Sequence, residues 1–285
     1  MSMKYIFGPV PSRRLGFSLG VDIIPSKTCT LDCIYCQVGR TMCKAIERKE
    51  YVAPDEILDE LKEVLKSGIR IDYITLSGNG EPTLNSKLGE IIKGIKGISS
   101  LPVAVITNGT LLTDRNVREE LLSADLVMPS LDAATQKTFQ KIDRPHPSLK
   151  IENIIEGMVE FRKIYPIRSP AKDTMAGSPN IKSGLTSNGA SGQIWLEIML
   201  VEGINDNQDE LNALKTAVEK IEPDKVQLNT PVRPTCEKGL QVLSAKELLA
   251  IKEFFGNKCE VIPELSRKEH EKHIKHIKGN PVRPR

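Results

Sequence analysis

The chain has 285 residues, 39% hydrophobic and 27% charged, with a formal net charge of +3. Those values exclude disordered, collagen-like and fibrous proteins and are read as a single globular domain over residues 1–285. No apolar run approaches the ~20 residues a bilayer span needs. The N-terminal stretch meets Pro9 without the apolar segment of a secretory signal, so a cytoplasmic protein with no membrane contact is expected.

In chain order, strand-like apolar runs fall at residues 19–24, 73–76, 103–107, 126–131, 194–201 and 226–229. Helical spacing fills the gaps at 54–66, 88–98, 114–122, 151–164, 206–221 and 244–255. In the first helix Ile57, Leu58, Leu61, Val64 and Leu65 share one face, opened by Pro54 and Asp55. Such alternation argues for parallel βαβ units. A short strand at 259–262 and a charged helix from 266 to about 278 follow. The prediction is an α/β fold, a partial (β/α)6 TIM-like barrel with a C-terminal strand and helix; an open doubly wound sheet is the competing topology.

Two stretches stand apart. Residues 169–192 are rich in Ser, Gly, Pro and Asn, with too few large apolar side chains to pack, and read as an exposed insertion. Residues 266–285 carry seven basic side chains against two acidic ones, so this tail holds +5 and the remainder −2. Such a tail suits RNA phosphates or simply complements the last helix's C-terminal dipole. Its histidines, His270, His273 and His276, read as a solvated helix face, and His146 as a surface loop residue.

The cysteines carry the chemistry. In a reducing compartment six of them do not make a disulfide framework. Cys29, Cys33 and Cys36 form C-x3-C-x2-C on a loop after the first predicted strand. Three thiolates on one short loop can ligate three irons of a cubane cluster and leave the fourth open. A structural zinc would ask for a fourth ligand with its own spacing, and none is evident. Cys43, Cys236 and Cys259 read as buried or incidental thiols, with Cys236 alone near enough to the predicted mouth to be considered as a hydrogen donor.

Polar residues gather at the other strand ends, where β/α barrels keep their chemistry. The second strand runs into Ser77-Gly78-Asn79-Gly80-Glu81-Pro82, the third into Thr107-Asn108-Gly109 and the fourth into Ser130-Leu131-Asp132. Glu197 shares a strand face with Met199, and Asn229 ends the sixth strand. A buried carboxylate such as Glu197 needs a partner or a ligand.

The cysteine loop, with Tyr35 just before its last cysteine, resembles the signature of the radical S-adenosylmethionine (radical SAM) superfamily. That resemblance implies a [4Fe–4S] cluster on Cys29, Cys33 and Cys36, with S-adenosylmethionine on the open iron. It also implies reductive cleavage of that cofactor to a 5′-deoxyadenosyl radical that abstracts hydrogen from a substrate. The Gly78–Pro82 turn resembles the family's GGEP motif, interrupted here by Asn79, which would meet the cofactor's amino group through Glu81 and neighbouring carbonyls. Tyr35, Asn108, Ser130, Asp132, Glu197 and Asn229 are the further cofactor candidates. The segments 8–20, 143–147 and 229–234 resemble one branch, Fe–S oxidoreductases similar to the tRNA wyosine-forming enzymes. On this reading Arg13, Arg14, Arg144 and Arg233 form a rim for an anionic substrate. tRNA is the first expected substrate; a partner protein receiving a glycyl radical, a small metabolite and a non-catalytic RNA-binding cluster module are the alternatives. A flavodoxin- or ferredoxin-like protein is the expected electron donor.

Overall fold

The computed structural model describes residues 3–165 and 192–262. In chain order the strands are β1 (Ile6–Ser12), β2 (Gly16–Val21), β3 (Thr28–Cys29), β4 (Cys43–Lys44), β5 (Tyr73–Leu76), β6 (Val103–Thr107), β7 (Leu126–Pro129), β8 (Gln193–Met199), β9 (Lys225–Asn229) and β10 (Cys259–Val261). The α-helices are α1 (Pro54–Lys66), α2 (Leu88–Ile98), α3 (Arg115–Leu121), α4 (Gln136–Ile142), α5 (Ile151–Ile164), α6 (Gln208–Ile221) and α7 (Ala245–Phe255). Eight strands form one sheet in the order β1-β2-β5-β6-β7-β8-β9-β10, and all neighbours from β2 onward pair parallel. β3 and β4 pair with each other within the cysteine segment.

Sequential order with parallel pairing is the β/α-barrel arrangement, so the doubly wound alternative falls away. The sheet curls: Arg14, in the turn between β1 and β2, reaches Glu197 of β8 at 2.8 Å, and its other contact is Gln227 of β9 at 3.5 Å. Both ends of the sheet are therefore brought across one lumen. Helices bury one apolar face each, such as Ile57, Leu61 and Val64 on α1, and Ile91, Ile92 and Ile95 on α2. α7 opens with a capping box between Ser244 and Glu247, the device its sequence spells out.

Besides the two-residue strands β3 and β4, two elements were not foreseen. β1 contains Pro9 and Pro11, which argue against a strand, but it is the antiparallel edge of the sheet, where a missing N–H leaves no ladder bond unmade. α4 spans seven residues, too short for a periodic signal; its N-terminus is secured by Glu210 of α6, which accepts from Ala134 N at 2.5 Å and Thr135 N at 3.0 Å. The segment expected as an insertion lies, Gly192 apart, outside the described residues, as do the charged helix and basic tail.

Candidate active site at the C-terminal ends of the strands

The cysteine loop leaves the C-terminal end of β2 and is held by backbone bonds from three other loops. Asp32 N donates to Asp143 O, Ile34 N to Ile142 O and His146 N to Thr30 O, each at 2.9 Å, tying it to the segment after α4. Cys236 N donates to Cys36 O and Glu237 N to Ile34 O, both at 3.0 Å, tying it to the segment after β9. Glu81 N donates to Thr28 O at 3.1 Å. The three cysteines are partly buried and free of disulfides.

Burial pushes the Cys29 thiol up to about 12, and Glu81 nearby adds to the shift; Cys33 is likewise driven well up by burial and by Asp143. A bare thiolate is thus disfavoured at Cys29 and Cys33, and a bound metal would supply the missing positive charge. Asn108 Nδ2 stands 3.4 Å from Cys29 Sγ, a donor aimed at that sulfur. Among the described residues no three His, Cys, Asp or Glu side chains converge on one ion. Three soft thiols spread over one loop fit a multi-iron cluster, whose irons occupy separate corners, better than a single zinc.

The Gly-rich turn after β5 packs directly under this loop. A Cβ on Gly78 would strike the Asp22 carboxylate, and one on Gly80 would strike the Thr28 carbonyl and Ile24. Asn79, the residue that interrupts the motif, donates through N (3.2 Å) and Nδ2 (2.6 Å) to Asp22 Oδ2. Its carbonyl accepts from Lys27 N at 2.7 Å. Glu81 is buried and accepts from Thr83 N, Thr83 Oγ1 (2.6 Å), Thr107 Oγ1 (2.5 Å) and Asn108 N (2.7 Å). Burial raises its carboxyl against the opposing pull of these donors. These glycines serve close packing of chain on chain, and Glu81 staples the turn to β6. Pro82 opens the short 3-10 turn that follows.

The lumen behind the loop is a cavity of about 370 Å³ lined by residues of β1, β2, β5, β6, β8 and β9 and by the cysteine loop. Of the expected cofactor residues, Tyr35, Ser130, Asp132, Glu197 and Asn229 line it, with Cys33 and Cys36. Gly78, Asn79, Gly80, Glu81, Pro82 and Asn108 do not; they stand behind it as supports. Asp132 accepts from the Tyr35 hydroxyl and from Met199 N at 2.7 Å, and burial pushes its carboxyl up to about 7. Beside it Asp143 is driven well above the carboxylate range by burial and by Asp132, and its Oδ1 is buried with no partner.

The four arginines separate. Arg13 and Arg14 lie at the opposite end of β2 from the cysteines and enter the lumen from there. Burial pushes the Glu197 carboxyl up, but the Arg14 guanidinium and hydrogen bonds from Arg14 and Asn229 outweigh it, so the group sits below its ordinary range. Arg233 lines the mouth, 3.5 Å from Gln37. Arg144 turns away from the cavity and is held by Glu237 at 2.6 Å. Sequence reasoning missed Ser18 and Thr75, which also line the lumen, and named Ser77 only as part of the Gly-rich turn. Their signal was available: Ser18 breaks the apolar run of β2, and Thr75 and Ser77 alternate with Ile74 and Leu76 on β5.

A curled parallel β/α sheet with a three-cysteine loop at its C-terminal end defines a class of open-cluster enzymes, and the comparisons bear on that class. The fold is shared with a structure of TYW1 with a lysine–pyruvate adduct bound, at TM-score 0.55 and 17% identity, covering 84% of this chain and 72% of that one. The Radical SAM superfamily model matches residues 23–182. The chain belongs to the radical SAM superfamily. It is 35% identical over 241 residues to a UPF0026 protein of Methanocaldococcus jannaschii, covering 84% of this chain and 67% of that protein. It is 40% identical over 271 residues to a protein named GTPase Obg from Brachyspira hyodysenteriae; there it covers 94% of this chain but spans only 36% of the relative. No helix among the described residues is long and apolar enough to cross a membrane.

Proposed function

We propose that the chain is a radical SAM enzyme acting on a small anionic molecule, or a small anionic end of a larger one, admitted to the barrel lumen. When bound, the [4Fe–4S] cluster and S-adenosylmethionine supply a 5′-deoxyadenosyl radical that takes a hydrogen atom from the substrate. Cys29, Cys33 and Cys36 hold the cluster, and Asn108 donates to Cys29. Tyr35, fixed by its hydrogen bond to Asp132, forms the wall between the cluster loop and the lumen. Ser130 and Asn229 present polar atoms at strand ends for the cofactor.

The observation that carries the substrate reading is the lumen's charge. Three guanidinium groups, Arg13, Arg14 and Arg233, line it against Glu197 and a Tyr35-bonded Asp132. Glu197 takes up Arg14, and Arg13 also meets Asn229 at 3.5 Å, so the guanidinium excess of the lumen favours an anion, with Arg233 at its mouth. Of the features that suggested tRNA, Arg144 is paired with Glu237 outside the cavity. The electron donor is proposed to be a flavodoxin- or ferredoxin-like protein.

Anaerobic reconstitution tests the enzyme reading. About four irons and four sulfides per chain are expected, with 5′-deoxyadenosine released on reduction with S-adenosylmethionine. Tightly held zinc without cleavage would instead mark a binding module. Screening small carboxylates and phosphates against tRNA and peptides for a rise in 5′-deoxyadenosine above the uncoupled rate tests the substrate class. A rise with tRNA alone would overturn the small-anion reading.

A further inference from the structure

Cys236 was expected to be a bystander, yet the fold lodges it in the Cys33–Cys36 turn. Its thiol donates to the carbonyls of Cys33 at 3.1 Å and Ile34 at 3.0 Å, and its N–H donates to Cys36 O at 3.0 Å. Adding one N–Cα bond, that hydrogen bond and the span from O to Cα puts the two Cα atoms no more than about 7 Å apart. Disulfides bridge Cα separations of about 4.4–6.8 Å, so the pair is within reach. Glu237, next in the chain, grips Arg40 at 3.1 Å and Arg144 at 2.6 Å, so this segment is pinned against the cysteine loop. Both Cys36 and Cys236 are partly exposed, whereas Cys259 is buried on β10 and Cys43 is exposed on β4.

We propose that Cys236 is the resolving thiol for Cys36: after oxidative loss of the cluster, the two close a reversible disulfide that keeps the site recoverable. With hydrogen peroxide as oxidant, the Cys36 sulfur attacks one peroxide oxygen. The O–O bond breaks, Cys36 becomes a sulfenic acid and one water leaves. The Cys236 sulfur then attacks the Cys36 sulfur, the S–O bond breaks, the S–S bond forms and a second water leaves. Two thiols have given two electrons and two protons to one peroxide, yielding two waters. Without a thiol in place, a sulfenic acid advances to the sulfinic acid, which thiol reductants do not reverse. The inference stands on the loop geometry and is independent of the substrate proposed above.

The test uses the full chain, reconstituted anaerobically, challenged with peroxide, alkylated and digested with trypsin. Cys29, Cys33 and Cys36 fall together in peptide 28–40, and Cys236 falls in 226–238 because Arg233 precedes Pro234. The expected product is 28–40 joined to 226–238, with fragmentation placing the link on Cys36. Dithiothreitol releases it, and iron and sulfide reload to the starting content. In Cys236→Ser the link is absent, Cys36 gains two oxygens and reloading falls several-fold; Cys259→Ser behaves as wild type. A disulfide confined to peptide 28–40, or full reloading of Cys236→Ser after the same challenge, would overturn the proposal. The wild-type link is read without any variant, so poor folding of Cys236→Ser leaves the outcome decidable.

Discussion

Arg14 and Glu197 hold the curled sheet together, and breaking that pair has a calculable consequence. Their side chains are 16% and 12% exposed and meet at 2.8 Å, so the pair is close to fully desolvated. Glu197→Gln keeps an acceptor for Asn229 Nδ2, which now lies at 3.0 Å from Glu197 Oε1. It leaves the guanidinium buried without a counter-charge. Removing one partner of such a pair costs about 3–5 kcal/mol, and the residual exposure of Arg14 argues for the lower end, roughly 3 kcal/mol. Urea unfolding at pH 7.5 of the chain under anaerobic conditions measures it. Arg14→Met should lose a similar amount, and the double variant Arg14→Met/Glu197→Leu should lie within about 1 kcal/mol of wild type, because no charge is then stranded. The pH dependence has a definite sign. The folded carboxyl is depressed, so the contribution is present above the unfolded value of about 4.3 and is lost as pH falls through the folded one. Glu197→Gln should remove that acid-side slope. A loss below about 1 kcal/mol for Glu197→Gln, the worth of an exposed pair, would refute the seam, as would simple additivity in the double variant.

Three further outcomes follow from the site. Gly80→Ala forces a methyl into the Thr28 carbonyl and Ile24, an overpacking worth about 1–3 kcal/mol, and should lower iron content after reconstitution; normal iron content would sink the packing role given to this glycine. Cys33→Ala should abolish both iron binding and cofactor cleavage, whereas Cys259→Ala should retain both; iron loss in the second would mean a cluster other than the one assigned. Asp143→Asn removes the like charge that faces Asp132. Carboxyls raised in the folded state stabilise below the unfolded value of about 3.9 and lose that contribution as pH rises, for Asp132 through about 7. The variant should therefore equal or exceed wild-type stability at pH 8 and show a shallower decline from acid pH; a steeper decline in urea titrations across pH 4–8 would contradict the like-charge account.

Most of the fold was legible because the parallel strands are buried on both faces and read as apolar runs, with amphipathic helices between them. The edge strand β1 was not legible, since Pro9 and Pro11 obey the rule only once the strand is known to be an edge. The cysteine triplet was legible because its members lie close in sequence on one loop. The lumen was only half so: Glu197 stood out as a charge in a strand, but its partner Arg14 is 183 residues away and nothing local links them. The same applies to Cys236, about 200 residues from the turn it enters.

The Gly-rich turn has a packing role beside the cofactor role its motif suggests. A motif reading assigns its glycines and glutamate to a ligand, since small residues and a carboxylate suit an ammonium group. Here Gly78 and Gly80 are also required by the close approach of Asp22, Ile24 and Thr28, and Glu81 accepts from Thr83, Thr107 and Asn108. The consequence is mechanical. The turn is wedged between the cysteine loop and β6, with Thr107 and Asn108 bonded to Glu81 and Asn108 bonded onward to Thr30 and toward Cys29. A displacement at Glu81 therefore reaches the Cys29 sulfur through two consecutive contacts, by way of Asn108 N and Asn108 Nδ2. Substitutions at Glu81 should thus disturb cluster loading before they disturb cofactor affinity, the reverse of what direct contact with the cofactor would give.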